Sequence, residues 1–407
     1  MKIAKEQMLS LITFGYLFNL YMFSEQIKIE SVLLLFLFIL FAFFFRVKKW
    51  TLTFSTMLLF IYILVFGLLS VNSNFVLISD LFEFISSLII GILFCTISLD
   101  KRLRISQLNA IKYVCIIVFL GCLLQILRPN VLINLNKMRM GSNKFLWFSE
   151  FLRNGFMVGF SFQTAVTGFY LTILIGYLFC YLVSKKKYNR TDILYIILTL
   201  ICFILLFKTG KRIFIALTLV VALIIFLFYN KKHLFKIIGI VMIMGFVFYI
   251  LLYHTDIGQI LIQRSMRADP TRGRSYIYAM MWHWFIQHPF VGNGLTSTQQ
   301  LLKGYLNGHN IYLQILMESG VLGAFILIPF FLINIIKGFK ILHFYIKNNK
   351  NSYELSLCIF IELIFLGWGL TGNPLYDVYP FLVYMIAISV VNSFIHEERE
   401  KEGVVIE

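Results

Sequence analysis

The spacing of the apolar runs constrains this chain more than any other feature. Stretches of about 17–25 apolar residues can cross a bilayer as helices. They recur at about 8–23, 29–45, 52–71, 75–98, 109–127, 155–183, 191–207, 213–229, 234–253, 311–336, 353–371 and 375–395. Inside lipid no water is available to backbone amides and carbonyls, so each run must satisfy them internally as a helix. Composition agrees: 60% of the 407 residues are hydrophobic and 14% are charged, against about 25% charged in soluble domains. The expected fold is an all-α polytopic membrane protein with about twelve transmembrane helices, and its halves show no convincing repeat.

The net charge of +17 would point a soluble protein toward nucleic acid. In a membrane chain the same excess sets topology, because Lys and Arg collect in cytoplasmic loops; no nucleic-acid partner is expected. The turns Arg46-Val47-Lys48-Lys49, Lys101-Arg102-Leu103-Arg104 and Lys185-Lys186-Lys187, with Lys231-Lys232 and the stretch 337–350, fall on one side when twelve helices are threaded in order. That side is read as cytoplasmic, with both termini inside. Lys2 and Lys5 precede the first run without a small-residue cleavage site, which reads as a retained helix. All six cysteines lie within apolar runs without metal-ligand spacing, so they read as packing residues, and neither a metal nor a cofactor is expected.

The resulting organisation is nine helices with short loops over 1–253, a large extracytoplasmic loop over 254–310, three helices over 311–395 and a cytoplasmic tail over 396–407. Three outward stretches break the charge rule. One is 128–154, with Arg128, Lys137, Arg139, Lys144 and Arg153; the second is Lys208 to Arg212; the third is the long loop, with Arg264, Arg267, Arg272 and Arg274. Cations that oppose topology call for an anion outside. For 128–154, nonspecific binding of anionic headgroups competes with a specific role, and for Lys208 and Lys211 snorkelling to the interface is the alternative.

Arg212 opens a helix, where a guanidinium fork and free N–H groups both favour phosphate oxygens. In 275–288 the residues Ile277, Met280, Met281, Trp284, Phe285 and His288 recur at helical spacing, which predicts an interfacial helix with Arg274 at its start. His309 falls at the outer mouth of the next span, suited by proton affinity to act as a base or, equally, to cap the helix. Asn310 is a natural N-cap. Glu318, expected inside that span, is either functional or a partner that fixes an arginine.

Four patches together resemble the O-antigen ligase and polymerase superfamily of envelope polysaccharide enzymes. They are Thr209-Gly210-Lys211-Arg212, Gly273-Arg274 leading to His288-Pro289-Phe290-Val291-Gly292-Asn293-Gly294, His309-Asn310-Ile311-Tyr312-Leu313, and Glu318-Ser319-Gly320-Val321-Leu322-Gly323. The resemblance covers roughly 205–330 and implies a fold like GT-C-type membrane glycosyltransferases. It implies metal-independent, inverting transfer of a glycan from undecaprenyl diphosphate at the outer face of the cytoplasmic membrane. Arg212 and Arg274 match the arginines that hold the diphosphate, and His309 matches the histidine that activates the acceptor hydroxyl. Lys211, Arg272, Arg153, Asn310 and Glu318 complete the expected donor- and glycan-binding set. The sequence departs from the family where a His-Pro-Asn-like segment is common: here Arg153-Asn154-Gly155 is followed by Ser161-Phe162-Gln163.

The favoured activity is polymerisation of lipid-linked repeat units for capsular polysaccharide, exopolysaccharide or O-antigen. Ligation of finished glycan onto lipid A core is the alternative within the superfamily, and a lipid-linked oligosaccharide flippase or other transporter the alternative outside it. Expected partners are the undecaprenyl-diphosphate-linked oligosaccharide, membrane lipids, and the flippase and chain-length regulator of the same pathway.

Overall fold

The computed structural model describes residues 5–22, 53–96, 100–185, 187, 189–229, 246, 249–250, 253–255, 258–259, 262, 273–302 and 308–402. Among them the chain is helical, with no strand. In chain order the helices are α1 (Lys5–Met22), α2 (Phe54–Val71), α3 (Ile78–Thr96), α4 (Lys101–Leu127), α5 (Pro129–Arg139), α6 (Ser142–Arg153) and α7 (Thr164–Ser184). Then follow α8 (Arg190–Lys208), α9 (Arg212–Tyr229), α10 (Arg274–Gln287), the single turn α11 (Thr298–Leu301), α12 (Ile311–Lys347), α13 (Tyr353–Trp368) and α14 (Val378–Glu402).

Eight of these, α2, α3, α4, α7, α8, α9, α12 and α14, are long and apolar enough to cross a membrane. Helices α1 and α13 occupy two more of the expected runs, α13 with only 16 residues. The runs at 29–45 and 234–253 lie almost wholly outside the described residues. The protein is thus a multi-pass, all-helical membrane protein. Inner and outer rings are distinct: 94% of the α14 membrane window is buried in protein, against 28% for α8. Around α14 pack α3, α4, α12 and α13, while α8 packs on α7, and α9 on α7 and α13.

Local chemistry sets the helix ends. Thr53 and Thr56 form a reciprocal capping box at α2, and Asn189 with Asp192 does the same at α8. Asp100 caps α4 through the Arg102 amide. The basic turn expected at 101–104 is helical, and Arg104 is fully buried. Its guanidinium donates to the Phe94 and Cys95 carbonyls and to Gln107, so it closes the C-terminal end of α3, where orphan carbonyls need donors.

Three expected boundaries are corrected. The run at 155–183 is helical only from Thr164; residues 155–163 form a non-helical segment buried against α4. Gln125 holds it, accepting from the Val158 and Gly159 amides (3.0 and 2.9 Å) and donating to the Phe156 carbonyl (2.8 Å). Such backbone is tolerated at membrane depth when protein groups satisfy it. The 128–154 stretch, expected as a loop, forms α5 and α6, with Pro129 in the first turn of α5, where its missing N–H costs nothing. Helix α12, expected to end near 336, runs on to Lys347 but is broken at Gly320 (φ 64°, ψ −167°).

Two sets of helix ends separate in space. One end gathers the turn after α2, the 155–163 segment, the start of α9, the 288–298 turn, the start of α12 and the α13–α14 turn. Contacts such as Ser73 Oγ to the Asn293 carbonyl (2.6 Å) and Met157 N–H to the Lys208 carbonyl (2.9 Å) link them. The other end gathers the basic turns, with ion pairs Lys101–Glu397, Lys185–Asp192 and Lys350–Glu398.

Candidate functional site

The break at Gly320 organises the first end. A helix interrupted in mid-course leaves amides and carbonyls on either side of the break without helical partners. The turn 288–294 supplies them. Val321 N–H donates to the Pro289 carbonyl (2.8 Å) and Leu322 N–H to the Phe290 carbonyl (3.1 Å). In return Asn293 N–H donates to the Met317 carbonyl (3.0 Å) and Gly294 N–H to the Glu318 carbonyl (2.9 Å). The two backbones lie so close that a Cβ at Gly292 would stand 2.4 Å from the Glu318 carbonyl carbon, and one at Gly320 2.3 Å from the Phe290 carbonyl oxygen. Both glycines have positive φ (71° and 64°). The His-Pro-Phe-Val-Gly-Asn-Gly and Glu-Ser-Gly patches, separate in sequence, are therefore the two halves of one backbone joint.

Glu318 is the side-chain centre of this joint. It is fully buried. Its carboxylate accepts from the Thr296 amide (2.9 Å), Gln314 Nε2 (2.8 Å), the Tyr376 hydroxyl (2.7 Å) and the Thr298 hydroxyl. These four donors come from the 294–298 turn, α12 and the α13–α14 turn.

The joint carries α10, the helix expected along the interface. It spans Arg274 to Gln287 and buries Ile277 and Met281 against Met317 of α12, with Met280 and Trp284 partly covered. Trp282 and Ile286 are exposed on its other side. Gly273 precedes it in the left-handed region (φ 81°), so Arg274 stands in the first turn.

His309 lies just before α12 and is half-buried. It too is left-handed (φ 54°), an uncommon conformation for a residue with a Cβ. Two neighbours hold it there. The Tyr278 hydroxyl of α10 donates to the His309 carbonyl (2.9 Å). On the other side Asn310 caps α12, accepting from the Tyr312 and Leu313 amides and donating to the Leu370 carbonyl. Burial first, then the positive charges of Arg274 and Lys211, push the His309 imidazole below its ordinary proton affinity. Those charges act on it because the starts of α9, α10 and α12 converge. The imidazole is consequently neutral near neutral pH, the form that accepts a proton.

The structure thus brings together His309, Arg274 and Lys211, with Arg212 following Lys211 at the exposed start of α9. Asn310 sits beside them as a cap. Arg153 is exposed at the end of α6. Glu318 lies apart, its oxygens occupied by protein donors. Arg272, with Arg264 and Arg267, lies outside the described residues. Tyr278, Gln314 and Tyr376 hold the site in place, yet nothing in their spacing marks them: Tyr278 lies outside the amphipathic stripe and reads as one more aromatic of the helix. No group of three or more His, Cys, Asp or Glu side chains placed to hold a metal occurs among the described residues.

No curated protein matches the chain. The family model described as O-antigen ligase matches residues 196–328. That stretch contains Lys211, Arg212, Arg274, His309, Asn310 and both halves of the Gly320 joint; the match supports placing the chain in the O-antigen ligase/polymerase superfamily, as an enzyme of the membrane glycosyltransferase type.

Proposed function

We propose that the protein polymerises oligosaccharide repeat units carried on undecaprenyl diphosphate, at the outer face of the cytoplasmic membrane. The observation that carries the reading is the meeting of a half-buried His309, held left-handed beside Tyr278 of α10, with Arg274 and Lys211 at three helix starts. Arg212 and Arg274 would hold the diphosphate, aided by the N–H groups of their helix N-termini. The acceptor hydroxyl oxygen attacks C1 of the donor sugar as its proton passes to His309. The C1–O bond breaks, and its electron pair leaves with the diphosphate. Attack from the face opposite the leaving group inverts the anomeric centre. Fixed cations at the oxygen where charge develops are the strongest general device for such a step. In this reading they need no metal ion.

The outward orientation rests on charge. The end carrying Lys101, Lys185 and Lys350 fits the cytoplasmic side under the positive-inside rule, which leaves His309 facing out. Ligation of glycan onto lipid A core is the second reading, favoured by the description of the matching family. The deciding experiment is reconstitution in liposomes with a lipid-linked repeat unit alone. A ladder of products supports the polymerase, whereas transfer only after lipid A core is added replaces it with the ligase.

A further inference from the structure

Three residues of α10 face the loop that carries His309. Arg274, Tyr278 and Met281 recur at intervals of four and three, so they share one face of the helix. A Cβ at Gly308 would stand 2.6 Å from Met281 Sδ and 3.0 Å from Gln314 Oε1, so the residue before His309 is held between α10 and α12. The next contact is polar: the Tyr278 hydroxyl donates to the His309 carbonyl (2.9 Å). The Arg274 charge reaches both the Tyr278 hydroxyl and the His309 imidazole.

The far side of His309 is anchored independently of α10. Asn310 caps α12 by accepting from the Tyr312 and Leu313 amides, and Ile311 N–H donates to the Gly369 carbonyl (2.9 Å). Between these two anchors His309 adopts φ 54°. A residue with a Cβ is strained there, and the conformation persists only when the surroundings over-determine it. Freed from one anchor, the backbone gains by returning to negative φ. That return swings the Cα–Cβ bond and carries the imidazole out of its place beside Arg274 and Lys211.

We propose that Tyr278 is a positioning residue for His309: its hydroxyl locks the left-handed backbone that aims the imidazole, so that α10 holds the base and Arg274 at a fixed separation. The assignment rests on the transferase reading above and adds to it how donor site and base are kept in register. Tyr278 takes no part in the proton transfer, because its own hydrogen is committed to a carbonyl. A base displaced by a fraction of its reach loses rate far more than it loses substrate, so the contact controls kcat rather than donor binding. The Tyr278 ring packs against the cluster of Ile277, Met281 and Met317. Phenylalanine at 278 keeps that packing and removes the hydroxyl alone.

The test uses the full chain in lipid nanodiscs and compares wild type, Tyr278→Phe, His309→Ala and the double variant. Turnover is read with a lipid-linked repeat unit, and binding with undecaprenyl diphosphate. Tyr278→Phe is expected to lower kcat about tenfold, the scale of one hydrogen bond, with KM and lipid binding as in wild type. In the His309→Ala background the same substitution should cost nothing further, because Tyr278 acts through the imidazole that is already gone. A second readout is independent of activity: the histidine ring signals of isotope-labelled protein, with His309→Ala identifying the resonance. Burial holds the imidazole below its ordinary 6.5, so a ring released by Tyr278→Phe should titrate higher, toward that value. A general loss of stability would not move it. The proposal is overturned if Tyr278→Phe leaves the His309 titration unmoved, if its loss of turnover multiplies with that of His309→Ala, or if it abolishes lipid binding. A moved titration with full turnover in His309→Ala would overturn the base reading and leave the positioning contact standing.

Discussion

His309 and Glu318 belong to the same short stretch of chain and differ in nearly every physical respect. His309 is half-buried and left-handed, and it faces the charges of two neighbouring helix starts. Glu318 is fully buried in α12, and four protein donors occupy its carboxylate. In the proposed reading the first exchanges a proton with an arriving substrate, while the oxygens of the second are taken up by the protein itself. A motif that contains both therefore mixes chemistry with scaffolding, and only the surroundings of each side chain tell them apart.

Substitution at His309 should separate the two regions most sharply. His309→Ala is expected to lower turnover by about 10²–10⁴-fold, the range for loss of a general base, while undecaprenyl diphosphate still binds. Single-turnover transfer in liposomes measures the first and lipid binding the second. Unchanged turnover would remove His309 from the chemistry. Arg274→Ala is expected to cost about 10²–10³-fold, as loss of a transition-state charge partner does, and to weaken lipid binding as well.

On the scaffolding side the effects should fall on stability. Gly320→Ala places a Cβ against the Phe290 carbonyl at positive φ. A cost of at least about 1–3 kcal/mol is expected from the backbone conformation alone, read as a lower Tm in detergent. Glu318→Gln leaves one of four donors facing an amide N–H, and about 1–3 kcal/mol is expected for the unsatisfied group. If this variant kept wild-type Tm but lost donor binding, the division between the two regions would be wrong.

The smallest effect is in pH. Because burial and two cations hold His309 below its ordinary value of 6.5, the base is lost only as pH falls through that lowered value. The acid limb of kcat/KM should lie below 6.5. A bound diphosphate adds negative charge and raises proton affinity, so the acid limb of kcat should lie above that of kcat/KM. Arg274→Gln should move the kcat/KM limb upward.

Much of the fold is legible in the sequence because the bilayer is a one-dimensional constraint. Run length and hydropathy locate helices such as α2, α9 and α14 without any knowledge of their neighbours. The errors fall where neighbours decide. The run at 155–183 is apolar enough to span, yet Gln125 of α4 supplies the backbone partners that let 155–163 abandon the helix. Arg104 reads as one more topological cation and instead caps α3 from inside the protein. For the site, Arg212, Arg274 and His309 stand out because their charge or position opposes what topology alone would give.

The amino-acid order by itself determined that the chain lives in a membrane as helices and along which apolar runs most of them lie. Local composition suffices for that, because each helix satisfies its own backbone. Which residues meet was decided only in three dimensions. The Gly320 break is stable because the 288–294 turn, distant along the chain, completes its hydrogen bonds. His309 sits below its ordinary proton affinity because the packing buries it, and because α9 and α10 then bring Lys211 and Arg274 to it. Both depend on contacts between separate elements, and no periodicity along a single element encodes them.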